Sequence, residues 1–363
     1  MQTPLYQWHV EAGGRIVDFA GWQLPIQYGS IVDEHHAVRK AAGLFDIAHM
    51  GRLYLSGPGA TAFLNTLVTI DVSKIKPGSV KYALVTNDAA GVLDDVLISC
   101  LDADDFMIVV NASNREKIVG WIKQHLPTGS EISFEDRTLD EFMLALQGPK
   151  ALSILQQMLP EEIAGMKYYS FVEMTLNDHR LVVSRTGYTG EDGFELIIDS
   201  SQAVWLWTTL LAFGEAEGLK PAGLGCRDTL RLEAAMPLYG HELSESTDPL
   251  TADLGFAVKL DKPDFHGKEK LVAIKAAGLK RKRVGLSVEG KRIPREGVKI
   301  YSGATEVGEV TSGTFSPTLE KTIAMAMVDF AQTTPGTALE ADLRGTRIPV
   351  TVTALPFYKR AAT

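Results

Sequence analysis

Arg185–Glu195 reads R-T-G-Y-T-G-E-D-G-F-E, and Ala222–Glu233 reads A-G-L-G-C-R-D-T-L-R-L-E. In the first stretch Gly187, Gly190 and Gly193, with Glu191 and Asp192 among them, separate an apolar run at Leu181–Val183 from a strand-like run at Glu195–Ile198. This predicts two strands joined by a turn whose backbone approaches a ligand closely, with carboxylates at its edge. In the second stretch Arg227 and Arg231 stand four residues apart, on one face of a helix that opens near Cys226. A carboxylate and a guanidinium on neighbouring elements suit a ligand with amide-like donors at one end and negative charge at the other. A folate has that pattern: its pterin edge offers two parallel N–H donors, and its glutamate tail offers carboxylates.

Outward from these stretches the chain mixes alternating strands with amphipathic helices. Leu93–Cys100 and Asp105–Asn111 read as a hairpin across the polar loop 101–104. A helix is expected over Ser113–Leu126, started by a Ser113/Glu116 capping box and stopped by Pro127. Another is expected near Gln202–Glu217, ending at Gly218 and Pro221. After about Ala276 helices become sparse. Arg283–Val288, Lys299–Tyr301, Glu306–Ser312, Ile323–Val328 and Arg347–Ala354 are short β-rich runs punctuated by Gly and Pro, the pattern of a small β-barrel or sandwich. The expected class is α+β with a C-terminal small β-barrel, divided near Lys275 into residues 1–275 and 276–363.

The 363 residues suffice for two or three domains with substantial cores, and 45% hydrophobic with 22% charged residues is ordinary for a globular protein. A net charge of −9 argues against a nucleic-acid surface, which needs a basic face. The one basic run, Lys280–Arg283, reads as a solvated linker or strand edge, or as a docking patch for an acidic protein. Cys100 and Cys226 cannot form a disulfide framework, so a reducing compartment is expected. No apolar run reaches the roughly 18 residues of a membrane span, and the first residues lack a targeting pattern. A cytoplasmic location is expected if this is the whole translation product, or the mitochondrial matrix for a processed eukaryotic form.

Among chemical candidates, Asp94-Asp95 lies in a strand whose two faces are both apolar. Adjacent strand residues point to opposite faces, so at least one carboxylate is expected to be partly buried, with a raised pKa and a strong interaction with a nitrogen gaining positive charge. Tyr188 offers an aromatic face inside the glycine-rich turn. The eight histidines show no metal-binding spacing, and P-loop, Rossmann and G-x-S-x-G patterns are missing from the sequence. Metal, ATP, NAD and serine-hydrolase chemistry are therefore not expected.

The two opening stretches, with F-A-G-W-Q-L-P-I-Q-Y (Phe19–Tyr28), L-F-D-I-A-H-M-G (Leu44–Gly51), G-V-L-D-D (Gly91–Asp95) and V-T-S-G-T-F-S-P-T-L (Val310–Leu319), resemble the T-protein family of the glycine cleavage system. These motifs extend from about Thr3 to Arg360 in the right order. The resemblance implies a folate-binding N-terminal region of two intertwined α+β lobes. It also implies a tetrahydrofolate-dependent aminomethyltransferase, which takes the one-carbon unit from the aminomethyl-lipoyl arm of an H-protein carrier. Tetrahydrofolate is then the co-substrate, and lipoate belongs to the partner. The resemblance points to Asp95 as the catalytic group, with Asp94 as the alternative, and to Glu195 and Arg227 as folate ligands, with Glu191 the alternative to Glu195. Met50, Tyr82, Asn111, Tyr168, Tyr169, Tyr188 and Arg360 are further candidates to line the folate site; Arg231 is expected in a structural ion pair. Two other readings stay open: a folate-dependent demethylase of a small methylated sulfur or nitrogen compound, and a non-enzymatic iron–sulfur assembly factor on the same fold. The second of these relatives carries a K-G-C-Y-x-G-Q-E signature, which G-L-G-C-R-D around Cys226 does not match.

Overall fold

A computed structural model describes residues 1–361. Its central strand is Gly193–Asp199, G-F-E-L-I-I-D, in which every residue but the last is buried. Unbroken burial along a strand requires cover on both faces. The six-stranded sheet around it has the order Phe171–Leu176, His179–Ser184, Gly193–Asp199, Glu141–Gln147, Ala42–Asp46, Leu219–Pro221. The pairing is antiparallel except between the last two strands, which run parallel. The helices Ala151–Leu155 and Ala203–Gly214 supply Ile154, Leu155, Leu206, Trp207 and Leu210 to a core completed by Leu144, Leu146, Leu196 and Ile198. A five-stranded sheet has the order Val80–Thr86, Val92–Asp102, Asp105–Val110, Gly51–Ser56, Ser133–Asp136, the last four strands pairing antiparallel.

The expected hairpin over 93–111 is present, turned at Asp104, whose φ of +53° suits the short polar side chain of aspartate. The expected helix over 113–126 starts later, at Arg115, after a single 3-10 turn at Ala112–Asn114. Asn114 becomes its N-cap, with no side-chain cap bond, so the Ser113/Glu116 capping box does not form. The cause is the tighter first turn, which moves the cap one residue along. The Ala203–Gly214 helix matches its expectation, and Gly218 follows it with φ +85°.

Contacts divide the chain into two compact units. One holds 1–64, 72–82 and 96–228; the other holds 65–71, 83–95 and the chain from Thr229 onward. The second unit contains a closed six-stranded barrel in the order Arg281–Val288, Lys321–Asp329, Thr305–Ser316, Lys299–Ser302, Ala338–Leu343, Thr346–Thr353. Val284, Leu286, Ile300, Val310, Ala326, Val328, Ala341 and Val352 fill its core. The strand Ala338–Leu343, A-L-E-A-D-L, was not expected: alanine and acids are poor strand formers, and ring closure places them there regardless. The basic run is absorbed into this unit, with Arg281 paired to Asp329, Lys282 to Asp253, and Arg283 buried against the Ala235 carbonyl. Arg231 forms the expected buried ion pair, 3.0 Å from Glu242 and 2.9 Å from Ser312. No helix is long and apolar enough to cross a membrane among the described residues.

Lys262 is the polar hub of the second unit. Its buried ammonium donates to the carbonyls of Asn65, Val68 and Ile70 at 2.6, 2.6 and 2.7 Å and lies 4.8 Å from the centre of the Phe265 ring. Burial pushes its pKa down to about 7, with Asp71 opposing. Three carbonyls match the three donors of the charged form, whereas a neutral amine would leave one unanswered. Lys262→Met strands these acceptors and costs about 2–4 kcal/mol. The expected result in a thermal melt is a Tm lowered by roughly 4–10 °C; an unchanged Tm would remove Lys262 from this role.

Candidate functional site

The glycine-rich stretch is arranged around a side chain that sequence reasoning did not single out. Gln147 ends the strand Glu141–Gln147 and is fully buried. Its Nε2 donates to the Thr186 carbonyl at 3.0 Å, and its Oε1 accepts from the Thr189 hydroxyl at 2.9 Å. A Cβ on Gly187 would stand 1.9 Å from the Gln147 Oε1, and one on Gly193 would stand 2.5 Å from its Nε2. These two glycines thus admit the protein's own amide. Only Gly190 requires left-handed backbone, at φ +80°. From the other side Arg39, on the helix Ile31–Lys40, donates to the Thr189 carbonyl at 2.7 Å and to Glu191 at 2.9 Å. Glu191 is therefore committed to a buried ion pair with Arg39.

Glu195 sits in the central strand, opposite Ala145 on one side and Ser184 on the other. It is 6% exposed, and its Oε2 accepts a short hydrogen bond from the Thr186 hydroxyl. Burial raises its pKa, while the Thr186 bond and the Arg227 charge act the other way. Arg227 lies on the helix Leu224–Glu233, with its guanidinium carbon 4.9 Å from the centre of the Tyr188 ring. The helix entry is pinned at Gly223, whose N–H donates to the buried Glu34 carboxylate at 2.9 Å. Burial lowers the Arg227 pKa and Glu195 opposes this. The Arg227 Nη1 is buried without a hydrogen-bond partner among the described residues, so the guanidinium has donor capacity for a ligand acceptor. Next door in the electrostatic sense is His49. It is 2% exposed, burial pushes it down to about 3 with Arg227 adding to the effect, and its Nδ1 also lacks a partner among the described residues. His49 is thus a neutral imidazole at physiological pH.

The turn that carries His49 and Met50 is fixed from two directions. The Asp46 carboxylate accepts from the Ala48 N–H at 2.9 Å, from Thr3 at 2.6 Å, and meets His9 at 2.9 Å; His9 in turn meets the Tyr28 hydroxyl at 2.7 Å. The fully buried Arg52 donates to the carbonyls of Ala48, Met50, Thr138 and Glu141. Met50 itself is half-buried.

Tyr169 has left-handed backbone at φ +61°, its ring lies edge-on to Tyr168 with centroids 4.8 Å apart, and burial raises its phenol pKa, with Tyr168 and Glu195 adding. Tyr168 is exposed. Tyr82 is half-buried within the strand Val80–Thr86, not ahead of it, and Asn111 follows the strand Asp105–Val110. In the strand Val92–Asp102, Asp94 is fully buried and Asp95 is partly exposed, the split expected of adjacent strand residues. Arg360 is partly buried. Cys226 is buried, and burial raises its thiol pKa well above the ordinary value, so it behaves as a packed thiol. The structure thus brings together Glu195, Arg227, Tyr188 and Tyr169, and adds Gln147, Thr186 and His49. The signal for Gln147 was available: a single amide closing the otherwise apolar strand F-M-L-A-L-Q, which has to find partners.

Comparison with known proteins agrees with this architecture. Residues 5–262 match the GCVT N-terminal domain, and residues 281–359 match the glycine cleavage T-protein C-terminal barrel domain. An aminomethyltransferase of Geobacillus thermodenitrificans is 44% identical over 362 residues, covering 99% of each chain. One from Saccharopolyspora erythraea is 45% identical over 363 residues, again covering 99% of each. A crystal structure of glycine cleavage system aminomethyltransferase T from Bartonella henselae superimposes with a TM-score of 0.93 at 34% identity, covering 99% of this chain and 98% of that one. With both halves matched in order and full-length relatives on each side, the chain belongs to the glycine cleavage T-protein family of aminomethyltransferases.

Proposed function

We propose that this aminomethyltransferase accepts the aminomethyl group held in S–C linkage on the lipoyl arm of an H-protein carrier and passes its carbon to tetrahydrofolate. The products are methylene-tetrahydrofolate, ammonia and the dihydrolipoyl carrier. The other components of the glycine cleavage system are its partners, and the cytoplasm is its location, or the mitochondrial matrix in a processed eukaryotic form. The folate-binding region is proposed as residues 1–275, with the barrel domain at 276–363. The observation that carries this reading is a buried carboxylate, Glu195, within electrostatic reach of a guanidinium with a buried, unpartnered nitrogen, Arg227, which stacks on Tyr188.

Glu195 accepts the paired N–H donors of the pterin edge, and Arg227 donates to an acceptor of the same molecule. The aromatic faces of Tyr188 and Tyr169 suit its flat rings. Met50, Tyr82, Asn111, Tyr168 and Arg360 are proposed to line or border the folate site. Asp95 is the proposed catalytic carboxylate, with Asp94 the alternative. Asp95 keeps partial access while Asp94 is sealed off, and a group that meets a nitrogen of a bound substrate has to be reachable. Ammonia leaves the one-carbon unit and one folate nitrogen attacks it; the arm then departs as its thiolate and a second folate nitrogen closes the methylene bridge, the two protons lost by these nitrogens ending on the ammonia and the thiol. A fixed carboxylate stabilises the charge growing on the attacking nitrogen and takes its proton, worth roughly 10²–10⁴-fold. Orientation of the folate supplies the remainder.

Asp95→Asn is expected to lower turnover by about 10²-fold or more while tetrahydrofolate affinity stays within a few-fold, measured by coupled assay and calorimetry; equal turnover removes Asp95 from the role. Lipoylated carrier and small methyl donors, supplied one at a time, separate this activity from a demethylase: turnover is expected only with the carrier. The raised pKa of Glu195 sets the pH dependence of binding. Its acceptor form is lost as pH falls through that raised value, so tetrahydrofolate affinity is expected to weaken on acidification at a higher pH than an ordinary carboxylate would dictate. Binding that stays flat down to the ordinary carboxylate range would contradict this.

A further inference from the structure

The carboxylate of Glu195 can rotate about its terminal bond, and recognition of two parallel donors requires a fixed plane. The structure contains a device that fixes it. The Thr186 hydroxyl donates to Oε2, and Thr186 is 2% exposed, so this hydroxyl is set inside the protein. The Thr186 backbone is held in turn, because its carbonyl accepts from Nε2 of the fully buried Gln147 at 3.0 Å. Gln147 is itself fixed through its other atom by the Thr189 hydroxyl at 2.9 Å, and its amide fills the space that a Cβ on Gly187 or Gly193 would take. A carboxylate offers about four acceptor sites. Thr186 uses one of them on Oε2, and Oε1 accepts no hydrogen bond from the described residues.

We propose that Thr186, anchored by Gln147, is a positioning residue for ligand recognition: it sets the plane of the Glu195 carboxylate so that Oε1 and the free site of Oε2 meet two parallel N–H donors. This rests on the reading that Glu195 binds the pterin edge. The charged and titratable groups acting on Glu195 or influenced by it are Arg227, across from it on the helix Leu224–Glu233, and Tyr169. The Thr186 bond is one of the two influences that hold the Glu195 pKa down against burial. Losing it therefore moves the acid limb of ligand binding to higher pH, whereas a purely structural loss of folded protein would scale the binding stoichiometry and leave that limb in place.

The test is calorimetric titration with tetrahydrofolate from pH 5.5 to pH 8, on the full-length wild type and on Thr186→Val, Thr186→Ser and Glu195→Gln. Thr186→Val is expected to weaken binding about ten-fold and to shift the acid limb upward; Thr186→Ser, which restores the hydroxyl, is expected to return both. Should Thr186→Val not fold, Thr186→Ala makes the same comparison. If Glu195→Gln weakens binding but Thr186→Val matches the wild type in affinity and pH profile, the positioning role is wrong and the Glu195 reading survives. If Glu195→Gln binds like the wild type, the Glu195 reading is wrong and the positioning role falls with it.

Discussion

A carboxylate taken out of water loses hydration worth several kcal/mol, and the fold must return it through donors and opposite charge or the group protonates. Glu195 is in that position, in the middle of the six-stranded sheet. The structure returns only part of the loss: one hydroxyl from Thr186 and the through-space attraction of Arg227. The sheet holds the carboxylate in place whether or not it is fully satisfied, since Glu195 is flanked on both sides by paired strands. An acceptor held short of its capacity beside a guanidinium with an unpartnered nitrogen is the arrangement we propose for ligand recognition, set by the fold before any ligand arrives.

The surrounding framework explains how so little contact area keeps this arrangement in register. The loop before the central strand is fastened from inside by Gln147 and from outside by Arg39, and the helix carrying Arg227 is pinned at its entry by Glu34. The turn carrying His49 and Met50 is fastened in the same manner, by Asp46 and Arg52 acting on its backbone. In each case a buried polar side chain holds main-chain groups of an otherwise irregular segment. Loops held this way lose little further entropy when a ligand binds.

Much of this was legible in the sequence because it is written in local patterns. The strands 181–183 and 195–198, the hairpin over 93–111, the helix after Gln202 and the barrel strands all appear near their expected places, since periodicity and turn residues act over a few positions. What was not legible depends on partners distant in the chain. Gly187 and Gly193 read as room for a ligand, but the atom they admit is on Gln147, some forty residues earlier. The strand Ala338–Leu343 is poor in strand-forming residues and owes its existence to ring closure. The Ser113/Glu116 cap failed because one 3-10 turn shifted the start of the helix. Glu191 and Glu195 looked alike as acids at the edges of one turn; only the position of Arg39 shows that the first is already spent.

We propose the half-satisfied carboxylate of Glu195 as the anchor for a reduced pterin. A crystal structure of the protein with tetrahydrofolate bound tests it most directly. The amino-pyrimidinone edge is expected within about 3 Å of both Glu195 oxygens, with Thr186 still donating to Oε2. A pterin bound with Glu195 unengaged, or with its paired donors directed at another acid, would contradict it.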